Sequence, residues 1–364
     1  MTAPGLVLEN LSLTIGGFHL GPLDVSLAAD QVLVILGPNG SGKSVTLETI
    51  AGFHRPDTGR VLIRGRDVTA LPPERRNIGF VVQNFGLFPH LTVAQNVAAA
   101  IRNEREGGTI AGFPQNDIAA LLGHFGVARL AARLPQDLSP GEKQRVALAR
   151  ALAAAPDVFL FDEPFSALDI RTRDSLREEL QAFLRDLSIP AVFVTHDHTD
   201  AMTLADKIVM LHDGAMVQSG APADVFERPA NAFVARFVGV ENILDGHLNQ
   251  TASGAVLIVG DVALQVAGPA PHLKLTDTVK ASVRADAVGV HPAGAAPPPM
   301  PDVNRLRAKI VEMRSVGPLA TLTVDCGFQL RGYRLARDIG ALHFGPGSAV
   351  IIDVPAASIH LMAD

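Results

Sequence analysis

The sequence predicts a larger α/β domain with a mainly parallel sheet, followed by a smaller all-β domain. Up to about residue 240, short apolar runs alternate with stretches of helical spacing, as strands and crossover helices do. Beyond Gly239, short alternating runs separated by turn residues replace the helical spacing, which is typical of a small barrel or sandwich. We therefore expect two domains, residues 1–240 and 241–364.

Five continuous apolar runs in the first domain predict buried strands of the parallel sheet. They are Gln31–Leu36, Val61–Ile63, Ile78–Val82, Val158–Phe161 and Ala191–Thr195. Leu6–Leu13 and His19–Leu27 predict strands near a sheet edge, and Arg171–Leu187 has apolar positions at helical spacing. Ile208–Leu211 and Met216–Gln218 flank an Asp-Gly pair, which predicts a hairpin.

The second domain shows strand patterns without a long helix pattern. Its predicted strands include Val256–Val259, Ala281–Val283, Lys309–Val311, Thr321–Val324 and Val350–Val354. The stretch His291–Pro301 is rich in Pro, Ala and Gly, so we expect a loop or linker there.

Composition narrows the class of protein. Hydrophobic residues make up 48% and charged residues 19% of 364 residues, which is typical of a globular chain. No run of eighteen or more apolar residues and no secretion signal occurs, and the one cysteine, Cys326, suits a reducing cytosol. The net charge of −6 gives no reason to expect a nucleic-acid partner.

Residues 37–44 match the G-x-x-x-x-G-K-S pattern of a phosphate-binding loop, placed between a predicted strand and a predicted helix. Three glycines let consecutive backbone N–H groups point inward around phosphates. Lys43 is expected to bridge the β- and γ-phosphates, and the Ser44 hydroxyl to bind Mg²⁺. The predicted phosphate-binding residues are Gly37, Pro38, Asn39, Gly40, Ser41, Gly42, Lys43, Ser44 and Val45.

Polar side chains follow three further predicted strands. Asp162 and Glu163 end the strand Val158–Phe161; we expect Asp162 to hold Mg²⁺ through its water shell and Glu163 to accept a proton from the attacking water. Gln83 follows another strand and can reach Mg²⁺ or that water, while His196 can hydrogen-bond the γ-phosphate. Together with the loop, these residues predict a nucleotide triphosphatase.

A second anion site is predicted at Ser139, Pro140, Gly141 and Glu142, just before a helix. Locally this is a helix start, with Ser139 as N-cap and Glu142 completing a capping box. A capped helix start with a free N–H at Gly141 also attracts anions. Since the loop at Gly37 already holds this chain's own nucleotide, the second site calls for a second ATP, which a dimer would supply.

The whole set resembles the ATP-binding subunits of ABC transporters. Residues 37–44 look like the Walker A loop and residues 161–163 like the Walker B motif. Residues 138–142 look like the signature motif, and residues 166–169, with Asp169, like the D-loop. Gln83 looks like the glutamine of the Q-loop, and His196 like the switch histidine. The resemblance implies a P-loop NTPase fold with a helical subdomain at about 90–153. It also implies a homodimer that sandwiches two ATP, with Ser139 and Gly141 facing the partner's Lys43, and Mg²⁺ held near Ser44, Gln83 and Asp162.

Two positions depart from the family pattern. Pro140 stands where the signature usually has glycine; proline removes one N–H but fits the first helical turn, so we expect a weakened but intact site. The family stacks adenine on an aromatic residue ahead of the phosphate loop. The aligned position is Ile15, which is not aromatic, and Phe18 is the nearest candidate for nucleotide binding.

Leu71–Arg76 and Phe88–His90 are similar to importers whose ATPase carries a C-terminal transport-associated OB domain. That group handles sulfate, molybdate, tungstate, ferric iron, polyamines and sugars. Glu48–His54 and Phe237–Ile243 look most like its molybdate/tungstate ATPases, and Asn304–Gly327 loosely resembles molybdate-binding domains. The resemblance implies peripheral attachment at the cytoplasmic face, a permease contacted near Gln83 and residues 85–90, and an indirect extracytoplasmic substrate-binding protein.

Three alternatives to simple transport remain. A soluble ABC-type ATPase acting on nucleic acid or ribosomes is disfavoured by the acidic balance and the single set of motifs. A C-terminal ligand sensor that inhibits the ATPase is compatible with transport, and Arg284, Arg305, Lys309 or Arg314 would line its site. A small-molecule kinase is the third alternative, and it is disfavoured because it would give Ser139–Glu142 no role.

Overall fold

The computed structural model describes residues 4–101, 109–110, 113–114, 117–251, 254–267, 278–294, 298, 300–342 and 344–362. The chain forms two compact units, Met1–Pro222 and Ala223–Asp364. The boundary between these units follows Pro222, whereas the sequence analysis expects a domain boundary after residue 240.

The first unit alternates strands and helices. Its strands are β1 Leu6–Ile15, β2 Phe18–Leu27, β3 Val32–Leu36, β4 Thr58–Ile63, β5 Arg66–Asp67, β6 Ile78–Val81, β7 Thr109–Ile110, β8 Phe113–Pro114, β9 Val158–Asp162, β10 Ala191–Val194, β11 Lys207–His212 and β12 Ala215–Gly220. Its helices are α1 Lys43–Ala51, α2 Val93–Ala98, α3 Ile118–His124, α4 Pro140–Ala153, α5 Ile170–Leu187 and α6 His198–Leu204. Of these helices, α2, α3 and α4 lie within residues 90–153.

A six-stranded sheet forms the centre of this unit, in the order β12-β11-β3-β10-β9-β6. The five strands from β11 to β6 are parallel, and β12 pairs antiparallel with β11 as the predicted hairpin. Its middle strands are buried on both faces, which explains their continuous apolar runs. Phe161 and Phe193 stack with ring centroids 4.3 Å apart.

An antiparallel sheet in the order β2-β1-β4-β5 packs on the same apolar core. Here the prediction for Val61–Ile63 is wrong in its sheet: these residues lie in β4, which pairs antiparallel with β1. The apolar pattern did not reveal this, because Val61 and Ile63 share one buried cluster with Leu33 and Ile35 of the parallel sheet. Burial in a common core produces the same sequence pattern in both sheets.

The second unit is mainly antiparallel β-structure with an OB-like architecture. Its elements are α7 Pro222–Glu227, α8 Ala232–Phe237, β13 Asn242–Thr251, β14 Gly254–Val259, β15 Val262–Val266, β16 Thr278–Val283, β17 Gly289–Pro292, β18 Val303–Val316, β19 Leu319–Asp325, β20 Gln329–Leu335, α9 Ala336–Leu342, β21 Ala349–Pro355 and β22 Ile359–Met362. Two five-stranded sheets, β15-β14-β13-β16-β22 and β17-β21-β18-β19-β20, enclose one apolar core.

Two features of the second unit differ from the sequence prediction. Helix α9 was not predicted, since a seven-residue helix carries too few apolar positions to show a period. His291 and Pro292 lie in β17 rather than in a loop, because β17 pairs with β21 at the sheet edge, where proline is tolerated. Residues 295–297 and 299 of the predicted loop fall outside the described part of the chain. No helix among the described residues has the length and hydropathy of a membrane span.

One buried ion pair ties α5 to α6. Arg177 on α5 donates from Nε and Nη2 to Asp200 Oδ1 at 2.9 and 2.6 Å, and both side chains are 5% exposed. The other oxygen of Asp200 accepts a hydrogen bond from the Thr195 hydroxyl at 2.8 Å. All the polar groups of Asp200 are therefore satisfied inside the fold, so loss of one partner would leave a buried charge.

We predict that Arg177→Met lowers the free energy of unfolding by about 3–5 kcal/mol, because the buried Asp200 loses its cation. The measurement is the urea unfolding transition of the full chain. The matched control is Arg185→Met, an exposed arginine on the same helix, which should shift stability by less than about 0.5 kcal/mol. Equal shifts in the two variants would contradict a special role for the buried pair.

Candidate nucleotide-binding site

The loop that joins β3 to α1 turns sharply at glycines. Gly37 has φ 155°, and a Cβ there would lie 2.3 Å from the Leu211 carbonyl oxygen. Gly42 is the N-cap of α1 at φ 101°, where a Cβ would collide with the side chains of Leu20 and Phe18. These two positions accept only glycine, because side chains are both strained and obstructed there. The loop therefore leads its backbone N–H groups into the start of α1.

Lys43 lies across this loop and is 6% exposed. Its ammonium group donates to the carbonyl oxygens of Gly37 and Pro38, at 2.9 Å each. Burial lowers the pKa of Lys43, although the nearby Glu163 and Asp162 carboxylates oppose this shift. The loop thus holds a cation at its centre, where it can meet an anionic ligand.

A cleft of ≈ 610 Å³ opens beside the loop. It is lined by Ile15, Phe18, Asn39, Gly40, Gly42, Lys43, Ser44, Val45 and Glu163. Ile15 and Phe18 are paired across β1 and β2, so both apolar side chains flank the same opening. Sequence reasoning set Ile15 aside because it is not aromatic, yet it lines the cleft with Phe18. Ser41, by contrast, is 1% exposed and does not line the cleft.

Asp162 and Glu163 stand at the end of β9, beside α1. The Ser44 hydroxyl donates to Asp162 Oδ1 at 3.4 Å. Burial, and next the neighbouring Glu163 carboxylate, raise the pKa of Asp162. A hydroxyl and a carboxylate held together near a second acid are oxygen donors of the kind that Mg²⁺ prefers, and a cation would relieve the repulsion between the acids. These residues therefore fit a magnesium ion.

Glu163 is held from two sides. His196 Nδ1 lies 3.0 Å from Glu163 Oε1, and Gln83 Nε2 donates to Glu163 Oε2 at 3.4 Å. The backbone of Glu163 is left-handed, at φ 45°, and its N–H donates to the Val194 carbonyl. The structure thus brings Gln83 to the predicted base rather than to the Ser44–Asp162 pair.

The residue after His196 was missed by sequence reasoning. Asp197 is the N-cap of α6, and its Oδ1 accepts from the N–H groups of Thr199 and Asp200 at 2.7 and 3.4 Å. Burial alone would raise the pKa of Asp197, but these backbone donors outweigh it and hold the pKa below its ordinary value. An Asp just after a predicted strand, at a position where a helix can begin, is the signal that could have revealed this cap.

Ser139 begins α4, as the sequence predicts. Its hydroxyl accepts from the Glu142 N–H at 3.3 Å, and Glu142 Oε2 accepts from the Ser139 N–H at 2.9 Å. That N–H bond lowers the pKa of Glu142. Pro140 occupies the first turn, where its missing N–H has no helical partner. The four residues from Ser139 to Glu142 do not line the cleft beside Lys43.

Asp169 is the N-cap of the 18-residue helix α5. Its two oxygens accept from the Thr172 N–H at 3.1 Å and from the Thr172 hydroxyl at 2.7 Å. The turn before it is closed by the Ser166 hydroxyl, which donates to the Glu163 carbonyl at 2.9 Å. The segment from Glu163 to Asp169 therefore connects the acidic end of β9 directly to the start of α5.

Comparisons with known proteins identify the family. The family model described as ABC transporter matches residues 20–166. A molybdate/tungstate import ATP-binding protein of Pyrococcus horikoshii is 34% identical over 98% of this chain and 99% of its own length. A sulfate/thiosulfate import ATP-binding protein of Thermosynechococcus vestitus is 42% identical over 69% of this chain and 74% of its own.

Among solved structures, a dimeric ATP-binding cassette in a post-hydrolysis state, bound to ADP and Pi, is 30% identical with a TM-score of 0.52. The match covers 60% of this chain and 98% of that one. The chain therefore belongs to the ABC transporter family, as one of its ATP-binding proteins, and is an ATPase.

Proposed function

We propose that this chain is the ATP-hydrolysing subunit of an import complex for an oxyanion such as molybdate or tungstate. The observation that carries the proposal is the length of the similarity to the Pyrococcus horikoshii protein, which extends over 98% of the chain and so includes the second unit. The sulfate/thiosulfate relative is more identical but matches only 69% of the chain. Sulfate is accordingly the alternative solute of the same chemical class.

In this proposal the loop at Gly37–Val45 holds the ATP phosphates, and Lys43 turns from its carbonyl partners to the β- and γ-phosphates. Ser44 and Asp162 would hold Mg²⁺, which neutralises phosphate charge when bound, while Gln83 contacts Glu163 instead. Glu163 orients the attacking water and accepts its proton, since its carboxylate lies beside the loop in the cleft.

His196 and Gln83 divide the two oxygens of Glu163 between them. A carboxylate whose two oxygens each accept a hydrogen bond is held in one orientation. Glu163 would therefore meet the attacking water, and accept its proton, from one fixed direction. His196 is 61% exposed, so its ring can also reach a γ-phosphate in the cleft. Ile15 and Phe18 provide the apolar surface on which the base of the nucleotide would rest.

The proposed working unit is a homodimer around two ATP. The start of α4 has the cap of an anion site and the Gly141 N–H to face an anion, yet it does not line this chain's own cleft. A second copy, placed with its Lys43 cleft against Ser139 and Gly141, would supply the missing phosphate. That the similar solved cassette is dimeric, with ADP and Pi bound, supports a dimer as the working unit.

The proposed membrane contact lies on the loop after Gln83, at the cytoplasmic face. Phe88 on this loop is 45% exposed, and Phe53 of the same unit is 59% exposed. Arg150 on α4 braces the loop by donating to the Gly86 carbonyl at 2.6 Å and lies 5.6 Å from the centre of the Phe88 ring. A permease that contacts Phe88 would therefore sense movement of α4, and a substrate-binding protein would act only through that permease.

We predict that Glu163→Gln keeps ATP binding and abolishes most hydrolysis, because only the proton acceptor is lost. Loss of a general base lowers kcat by roughly 10²–10⁴-fold. The measurements are ATPase rate and, by size-exclusion chromatography with light scattering, a dimer that forms with ATP. Glu178→Gln, an exposed acid on α5, is the matched control and should hydrolyse at the parent rate. Hydrolysis by Glu163→Gln at that same rate would show that Glu163 is not the base.

We predict that Lys43→Ala weakens ATP binding itself, because the ammonium group is the cation at the centre of the loop. Charge-assisted hydrogen bonds contribute about 1.5–3 kcal/mol, which corresponds to a roughly 10- to 100-fold higher Kd. Titration with a fluorescent ATP analogue measures this change. Lys207→Ala, at the other end of the neighbouring strand β11, should leave the Kd unchanged. An unchanged Kd for Lys43→Ala would place the phosphates elsewhere.

The solute is tested by uptake. The chain is reconstituted with its permease and binding protein in liposomes, and ATP-dependent accumulation of molybdate, tungstate and sulfate is measured separately, with the Glu163→Gln complex as the inactive control. Uptake of molybdate or tungstate in preference to sulfate supports the proposal. Preference for sulfate would assign the alternative solute, and ATPase activity without any uptake would favour a soluble ABC-type ATPase.

A further inference from the structure

Arg173 joins the start of α5 to the loop that carries His196. Its Nη1 donates to Asp197 Oδ2 at 3.1 Å, and its Nη2 donates to the Leu168 carbonyl at 3.4 Å. Asp197 directly follows His196, and its other oxygen caps α6. One guanidinium therefore connects the Ser166–Asp169 segment with the residue next to the switch histidine.

The bond between Arg173 and Asp197 is not needed to hold the fold. Both side chains are 27% exposed, and an ion pair in contact with this much solvent adds little to stability. Helix α6 is already anchored four residues further along α5, where Arg177 and Asp200 form a pair that is 5% exposed on each side. Two arginines of one helix thus have separate contacts: Arg177 anchors α6 to α5, and Arg173 binds the residue next to His196.

The surroundings of Arg173 place it next to the reacting groups. A small cleft of ≈ 80 Å³ is lined by Glu163, Phe165, Ser166, Arg173, Thr195, His196, Asp197 and Asp200. Within the described residues, the buried Nε of Arg173 has no hydrogen-bond acceptor. A buried donor without an acceptor calls for an explanation, and a residue that changes partners as the neighbouring segment moves provides one.

We propose that Arg173 is a positioning residue for hydrolysis, which holds the loop of His196 through Asp197 and links its orientation to the start of α5. The inference rests on the proposed roles of Glu163 and His196. Because Asp169 caps α5, displacement of the Ser166–Asp169 segment also displaces Arg173, which lies one turn further along the helix. Asp197 then moves with Arg173. His196 then approaches or leaves Glu163, from which it is now 3.0 Å away.

The test uses the full chain and compares Arg173→Gln, Arg173→Lys and Asp197→Asn in parent and His196→Ala backgrounds. Asparagine keeps the cap on α6 but removes the charge that Arg173 binds. Arg173→Gln and Asp197→Asn should each lower kcat roughly 10- to 100-fold, as loss of orientation does, with KM for ATP and melting temperature unchanged. Arg173→Lys should recover part of the rate.

The decisive comparison is between backgrounds, with residual rates resolved by radiolabelled ATP. If Arg173 acts through His196, Arg173→Gln should not slow the His196→Ala chain further. An equal loss in both backgrounds, or a lower melting temperature with a raised KM, would overturn the inference and assign a structural role. Arg185→Gln, the exposed arginine of the same helix, is the control and should retain the parent kcat.

Failure of the proposed function has a different signature. If His196→Ala hydrolyses ATP at the parent rate, the role of His196 is wrong and the inference falls with it. If His196→Ala is slow but Arg173→Gln hydrolyses at the parent rate, the proposed function stands and only the inference is overturned.

Discussion

Parallel pairing of β9 with β10 is the interaction on which the site depends. The register places Asp162 opposite Val194, and β10 in turn pairs with β3 so that Val194 lies opposite Ile35. The carboxyl ends of three buried strands therefore meet at one edge. Because parallel strands all end on the same side, the acidic pair, His196 and the phosphate loop converge although they are far apart in the chain.

Charge at that edge is balanced by the chain only in part. Asp162 and Glu163 are adjacent and partly buried; burial, and next the Glu163 carboxylate, raise the pKa of Asp162. Lys43 attracts both, but its ammonium donates to two loop carbonyls. An ATP–metal complex would bring a cation to the carboxylates and phosphates to the lysine. The electrostatic preference of the site thus suits the ligand that the family binds.

Helix α5 passes beside both the buried Arg177–Asp200 pair and the loop that carries His196, so it contributes to stability and, in the proposal above, to hydrolysis. Its first turn follows the acidic end of β9, and its next turns face the β10–α6 loop. Arg177 faces a site closed to water, where an unpaired charge is costly, whereas Arg173 faces a site open to water, where the pair adds little stability. Two arginines four residues apart on one helix can therefore have different roles.

The sequence by itself determined the main buried strands of the first unit, the strand–loop–helix context of Lys43 and the helix cap at Ser139, since these depend on local periodicity and neighbouring residues. It also predicted that Glu163, Gln83 and His196 follow strands. It did not determine the sheet of Val61–Ile63, because burial in a shared core has the same pattern in either sheet.

Only the tertiary structure decided that Gln83 and His196 take separate oxygens of Glu163, that Ile15 lines the cleft, and that Arg173 reaches Asp197. These are contacts between residues that local patterns do not relate. Strand register and helix packing decide which side chains meet, and both are set by the core as a whole rather than by any one segment.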